Sequence, residues 1–183
     1  MLAYDQACEP VSVRQMSYDY TIEEVRRAVA ISLGVLLRND SLLFVKKASE
    51  RSVSHKLAEY LQKRFPDWDV DCEYNRKGPH PKLLEGIRKC SGRRRTDRIF
   101  PDIIVHKRST NANMLVIEMK INADNSCDIA KLKLLTDRHY GYSYKLGLFI
   151  KFDTKGNPSL KWFRDGKELT GNLYTKDDIP VRW

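Results

Sequence analysis

The sequence predicts an α/β fold: a central mixed sheet flanked by helices, with a helical extension at the N-terminus. Three observations carry this. Two amphipathic helical patterns, at 21–39 and 49–65, come before the first strand pattern. Two short segments, Ile103-Ile-Val105 and Met114-Leu-Val-Ile117, are apolar without interruption, as strands covered on both faces are. A third helical segment over 127–137 then separates these from strand patterns at 144–152 and 160–162. The resulting order is helix, strand, strand, strand, helix, strand, strand.

Each element has a local reason. Thr21 and Glu24 form a capping box, and Ile22, Val25, Val29, Leu33, Leu36 and Leu37 continue from it as an apolar stripe up to Asn39. A stripe that long must be covered, by the core or by a second copy, and dimer contacts are expected there. Leu42-Leu-Phe-Val45 is too short for its type to be read. The next helix starts at Ser49, carries Val53, Leu57, Leu61 and Phe65 on one face, and is ended by Pro66. Trp68 to Tyr74 alternates, with Trp68, Val70, Cys72 and Tyr74 on one side and Asp69, Asp71 and Glu73 on the solvent side. Lys107 to Asn113 supplies Ser, Thr and Asn for a turn between the two buried strands. Gly156-Asn-Pro158 and Asp165-Gly166 mark later turns.

The chain has 183 residues, 42% hydrophobic and 31% charged, enough for a core of ordinary domain size. With no internal repeat or linker, it divides into an extension, 1–48, and a single domain, 49–183. Its longest apolar run, Val29 to Leu37, falls far short of a membrane span. A soluble, cytoplasmic protein with no membrane partner is expected. Cys8, Cys72, Cys90 and Cys127 form no CxxC pair, which leaves structural thiols rather than a zinc site. Walker, GxGxxG, HExxH and GxSxG motifs are absent, which excludes the nucleotide-driven motor, dehydrogenase, zincin and serine-hydrolase readings.

The formal net charge is +9, and its distribution is uneven. Residues 76–98 hold Arg76, Lys77, Lys82, Arg88, Lys89, Arg93, Arg94, Arg95 and Arg98 against only Glu85 and Asp97, so this segment supplies seven of the nine net charges. A short helix is expected from Pro81 to Cys90. A basic run of this kind is either a solvated loop or a phosphate clamp, and polyanions are the leading partner class.

Acidic residues on buried strands need a physical reason, because desolvating a lone carboxylate is costly. Asp102 follows Pro101 at the start of one apolar strand, and Glu118 and Lys120 close the next. Two residues apart on a strand, Glu118 and Lys120 project from the same face. Pairing of the strands through the 107–113 turn would bring Asp102 beside them, making a hard-cation site with a charged donor alongside. The acid-x-Lys triplet alone says little, since Asp153-Thr-Lys155 and Asp165-Gly-Lys167 repeat it at turns. Glu50 extends the Val53/Leu57/Leu61 stripe. It is either a carboxylate favoured by the helix N-terminus or an acid aimed at the rim of the sheet.

Pro101-Asp102 followed by Glu118-Met119-Lys120 after a hydrophobic strand resembles the PD-(D/E)XK nuclease superfamily. The α-β-β-β-α-β order from Ser49 to Phe152 is similar to that superfamily's restriction-endonuclease-like core, so the resemblance spans over half the chain. It implies metal-dependent hydrolysis of phosphodiester bonds, in DNA more than RNA, in a prokaryotic defence, repair or mobile-element setting. Asp102, Glu118 and the Met119 backbone carbonyl would hold Mg²⁺, with Mn²⁺ as a substitute. Lys120 would orient water or stabilise charge on phosphorus, and Glu50 would hold a second metal or a water of the first. Members often carry a further polar residue on the helix after the ExK strand, a place for Lys131 or Lys133. Arg76, Lys77, Arg88, Lys89, Arg93, Arg94, Arg95, Arg98 and Lys131 become the nucleic-acid contacts. Specificity is expected from a homodimer or a partner subunit. The rival readings are a non-catalytic nucleic-acid-binding subunit of the same fold and an RNA-cleaving nuclease.

The remaining polar residues read as ordinary. His55 lies on the polar side of its helix, while His80 and His106 have no pairing that suggests general-base work. Tyr140, Tyr142 and Tyr144 read as core or strand-edge packing rather than as stacking platforms.

Overall fold

The structure is a computed structural model and describes residues 19–77, 80–81, 99–123 and 126–170. Helix α1 spans Ile22–Asn39, α2 Leu42–Val45 and α3 Glu50–Gln62. Strands β1 (Asp69–Cys72), β2 (Arg76–Lys77), β3 (His80–Pro81), β4 (Ile103–His106) and β5 (Asn113–Ile121) follow. Helix α4 (Ser126–Thr136) then leads to β6 (Leu146–Phe152), β7 (Pro158–Arg164) and β8 (Lys167–Glu168). Six strands form one mixed sheet in the order β1-β4-β5-β6-β7-β8, and β2 and β3 pair separately. Neighbours in the sheet are antiparallel except β5 and β6, which are parallel and joined by α4. The predicted α/β class with a mixed sheet is present, and the expected helices and main strands follow in order; the short strands β2, β3 and β8 were not expected.

Sheet alternation divides the core into two layers. Ile103, Val105, Leu115, Ile117, Met119, Leu148 and Ile150 face α1 and α3 and share a cluster with Val29, Leu33, Val53, Leu57 and Leu61. Ile104, Val116 and Phe149 face the other way, onto Leu132 and Leu135 of α4. Burial on both sides explains why these strands read as unbroken apolar runs.

The capping box opens α1 as expected: Glu24 N donates to Thr21 Oγ1 at 3.2 Å, and Thr21 N donates to Glu24 Oε2 at 2.7 Å. Val25, Val29, Leu33 and Leu36 are completely buried in the same core as the sheet. The apolar stripe of the extension is therefore covered within the chain, which removes the argument that a second copy must cover it. The unassigned segment 42–45 is a single helical turn that buries Phe44.

Two expectations are corrected here. Asp69 and Asp71 do not form a solvated row: both are half-buried and bound by Arg108, whose Nη1 donates to Asp69 Oδ1 at 3.0 Å and whose Nε donates to Asp71 Oδ2 at 2.9 Å. Opposite them, His106 is buried, with Nε2 at 2.9 Å from Asp71 Oδ2 and its ring 4.9 Å from that of Tyr74. The tie fastens edge strand β1 to β4. Tyr142 and Tyr144 are buried packing residues as expected, whereas Tyr140 is exposed. Among the described residues no helix is long and apolar enough to cross a membrane, and neither Cys72 nor Cys127 is in a disulfide.

Gly147 sets how closely α4 lies on the sheet. A Cβ there would sit 2.9 Å from Thr136 Cγ2 and 3.4 Å from Leu132 Cδ2. Glycine permits the helix to approach β6, and this places the first turns of α4 over the end of β5.

Candidate functional site

The site is built where β4 begins and β5 ends. Ile103 is in register with Ile117, so Asp102 comes opposite Glu118 across the hairpin, as the turn at 107–113 predicted. Asp102 is fixed by the backbone: Met119 N donates to its Oδ2 at 2.7 Å. Met119 thus contributes its amide to the site.

Lys120 leaves the same face as Glu118 and reaches Glu50 at the first turn of α3, with Nζ donating to Glu50 Oε2 at 2.9 Å. The other Glu50 oxygen accepts from Ile121 N at 3.1 Å. Glu50 lies both in the first turn of α3 and at the rim of the sheet. Its oxygens here engage a lysine and an amide, a different use from holding a second metal.

Helix α4 adds two residues. Lys131 Nζ donates to Glu118 Oε2 at 3.1 Å and contacts Asp128 Oδ1 at 2.5 Å. The second Asp128 oxygen lies 3.5 Å from Lys120 Nζ. Lys131, grouped from sequence with the nucleic-acid contacts, has its ammonium inside the cluster, whereas Lys133 is exposed. Asp128 went unrecognised in the sequence because an acid in a helix's first turn is ordinary. One signal was available: Asp128, Leu132, Leu135 and Thr136 share the buried stripe of α4, where a carboxylate is out of place.

These groups perturb one another. Burial drives the Glu118 carboxyl well above the usual range; the charge of Lys131 opposes this, and the charges of Asp102 and Asp128 add to it. Burial likewise raises Asp102, against the pull of the Met119 amide and Lys120. Burial alone would lower Lys120 and Lys131, but the carboxylates around them prevail and hold both ammoniums above the ordinary lysine range. Two lysine ammoniums therefore sit among the carboxyl groups of Glu50, Asp102, Glu118 and Asp128.

Among the described residues no three His, Cys, Asp or Glu side chains are arranged to hold a metal ion. Two features nonetheless fit a hard divalent cation. The donors are all oxygen. Glu118 Oε1 is buried with no hydrogen-bond partner among the described residues, a costly state that a cation would relieve. Fully ionised, the four carboxylates also exceed the two ammoniums by two charges.

Of the basic segment, Arg76 and Lys77 form β2, while Arg88, Lys89, Arg93, Arg94, Arg95, Arg98 and most of the expected helix from Pro81 to Cys90 lie outside the described residues. No protein-family model matches the chain, and no curated protein matches it.

Proposed function

We propose that this protein is a metal-dependent nuclease of the PD-(D/E)XK type, hydrolysing phosphodiester bonds in nucleic acid, DNA in preference to RNA. On this reading the order α3, β1, β4, β5, α4, β6 is a restriction-endonuclease-like core. The observation that carries the proposal is the convergence of Asp102, Glu118, Lys120 and Glu50, from three separate segments of the chain, at one end of β5. Desolvating that many ionisable groups costs stability, and a site for chemistry is the usual reason a fold tolerates it.

Asp102, Glu118 and the Met119 carbonyl would hold Mg²⁺ or, in its place, Mn²⁺. A metal ion bound there supplies Lewis-acid polarisation of the phosphate and a lowered pKa for bound water. The chain's own residues do the rest. Lys120, kept charged by Glu50 and Asp128, stabilises the negative charge that develops on the phosphoryl oxygens. Glu50 acts through Lys120 and through the Ile121 amide, fixing the ammonium at the end of the strand. Asp102, anchored on Met119 N, keeps its carboxylate in place without a side-chain partner having to move. The basic segment 76–98 contributes sequence-independent backbone contacts.

One observation favours the non-catalytic reading: Glu118 Oε2 and both Glu50 oxygens are already engaged by lysines and an amide. Cleavage of labelled single- and double-stranded DNA and RNA, each with Mg²⁺, Mn²⁺ or EDTA, separates the cases. The nuclease reading expects cutting that EDTA abolishes, stronger on DNA. Salt-sensitive binding without cutting under any metal supports the binding subunit, and cutting confined to RNA supports the ribonuclease.

A further inference from the structure

Lys131 has no part in the proposed hydrolysis, yet with Asp128 it is built into its centre. Asp128 is almost fully buried on the sheet-facing stripe of α4, and Lys131 follows one turn later. The Lys131 ammonium bridges Glu118 Oε2 at 3.1 Å and Asp128 Oδ1 at 2.5 Å. Its side chain is only 20% exposed, and those of the two carboxylates 2% and 3%.

Two buried carboxyl groups converging on one point leave a place suited to a cation, because either one ionised there is uncompensated without it. Lys120 does not fill that place, because it lies nearer to Glu50 and reaches Asp128 only at 3.5 Å. The two oxygens of Glu118 differ as well. Oε2 is occupied by Lys131, while Oε1 is buried with no hydrogen-bond partner among the described residues.

We infer that Lys131 is a tethered cation, standing between Glu118 and Asp128 where a second divalent ion would otherwise bind, so that the site takes one metal ion per chain. This rests on the metal-dependent reading proposed above. The tether is short, because Lys131 lies on a helix that Gly147 allows against the sheet. An ammonium supplies one positive charge where a divalent ion would supply two. Removing it leaves two carboxylates with room and charge for a further ion.

The test is Mn²⁺ stoichiometry on the full chain without nucleic acid, read by equilibrium dialysis and by the paramagnetic resonance of unbound Mn²⁺. The wild type should bind one ion, Lys131→Met two, and Lys131→Met combined with Asp128→Asn one again. Lys131→Arg, which keeps the charge, should remain at one. Circular dichroism checks folding, and Lys131→Gln replaces Lys131→Met if the latter does not fold. Two ions on the wild type, or one on the folded Lys131→Met or Lys131→Gln protein, overturns the inference while leaving a metal site intact. No ion on the wild type or on any variant overturns the metal-dependent reading itself, and the inference with it.

Discussion

Glu50 and Lys120 stand seventy positions apart in the chain and meet at 2.9 Å, Oε2 to Nζ. The contact ties the first turn of α3 to the last residues of β5, and a helix otherwise occupied with core packing thereby sets the direction of a charged side chain. On the proposed mechanism Glu50 is a positioning residue for Lys120.

Replacing Glu50 with Gln should therefore act on rate more than on binding. Gln keeps an acceptor for Ile121 N but withdraws the negative charge that holds Lys120. A drop in kcat of roughly 10- to 100-fold is expected, in line with the cost of misplacing a catalytic group by about 1 Å, with KM little changed. Steady-state kinetics on one DNA substrate decides this. A change confined to KM would place Glu50 in substrate binding instead.

Glu118 predicts an unusual pH dependence of stability. Its carboxyl titrates well above the ordinary value of 4.5 because it is buried. Below about that pH both folded and unfolded chains hold the proton, and there is no penalty. As pH rises toward the raised folded value, the unfolded chain releases its proton while the native chain keeps it, so stability falls. Metal-free Glu118→Gln should melt higher than the wild type at pH 7, by about 2–4 °C for each kcal/mol relieved. The gap should close toward pH 4. Thermal melts in EDTA across that range are the measurement.

The tie between Asp71 and Arg108 predicts the opposite slope. Burial alone would raise the Asp71 carboxyl, but hydrogen bonds from Arg108 and His106 hold it below its ordinary value of 3.8. Its contribution is present above that value and is lost as pH falls through the depressed one. Asp71→Asn should cost about 1–3 kcal/mol at neutral pH, with β1 loosened from β4. Acidification below about pH 4 should then cost the variant less than it costs the wild type, as urea denaturation at several pH values would show.

Gly147 gives a purely steric prediction. Valine there would drive a side chain into Thr136 and Leu132, lifting α4 from β6. A loss of about 1–3 kcal/mol is expected from overpacking. Because α4 carries Asp128 and Lys131, Mn²⁺ affinity should fall along with the urea midpoint.

How much of this was legible depended on sequence distance. The capping box of α1 and the Val53/Leu57/Leu61 stripe are local patterns, and both appear as read. The hairpin that sets Asp102 against Glu118 was legible because its turn lies between the two strands. The Asp71–His106 tie was not, because β1 and β4 are separated by the basic segment and nothing local announces their register. His106 read from the sequence as having no pairing partner, and its place opposite β1 supplies one in Asp71. Asp128 looked like a helix-start acid, and what distinguishes it is the close approach of α4 to the sheet. The four-residue α2 is too short for periodicity to identify.

The most direct test of the central claim compares binding and cutting in one variant, Lys120→Ala. Fluorescence anisotropy would give its affinity for labelled DNA, and single-turnover cleavage in Mg²⁺ would give its chemical step. The proposed mechanism predicts nearly unchanged binding with cleavage reduced by roughly 10²- to 10³-fold, the usual cost of removing one charge-stabilising donor. Cleavage at the wild-type rate would contradict it and move the chemistry away from Asp102, Glu118 and Lys120.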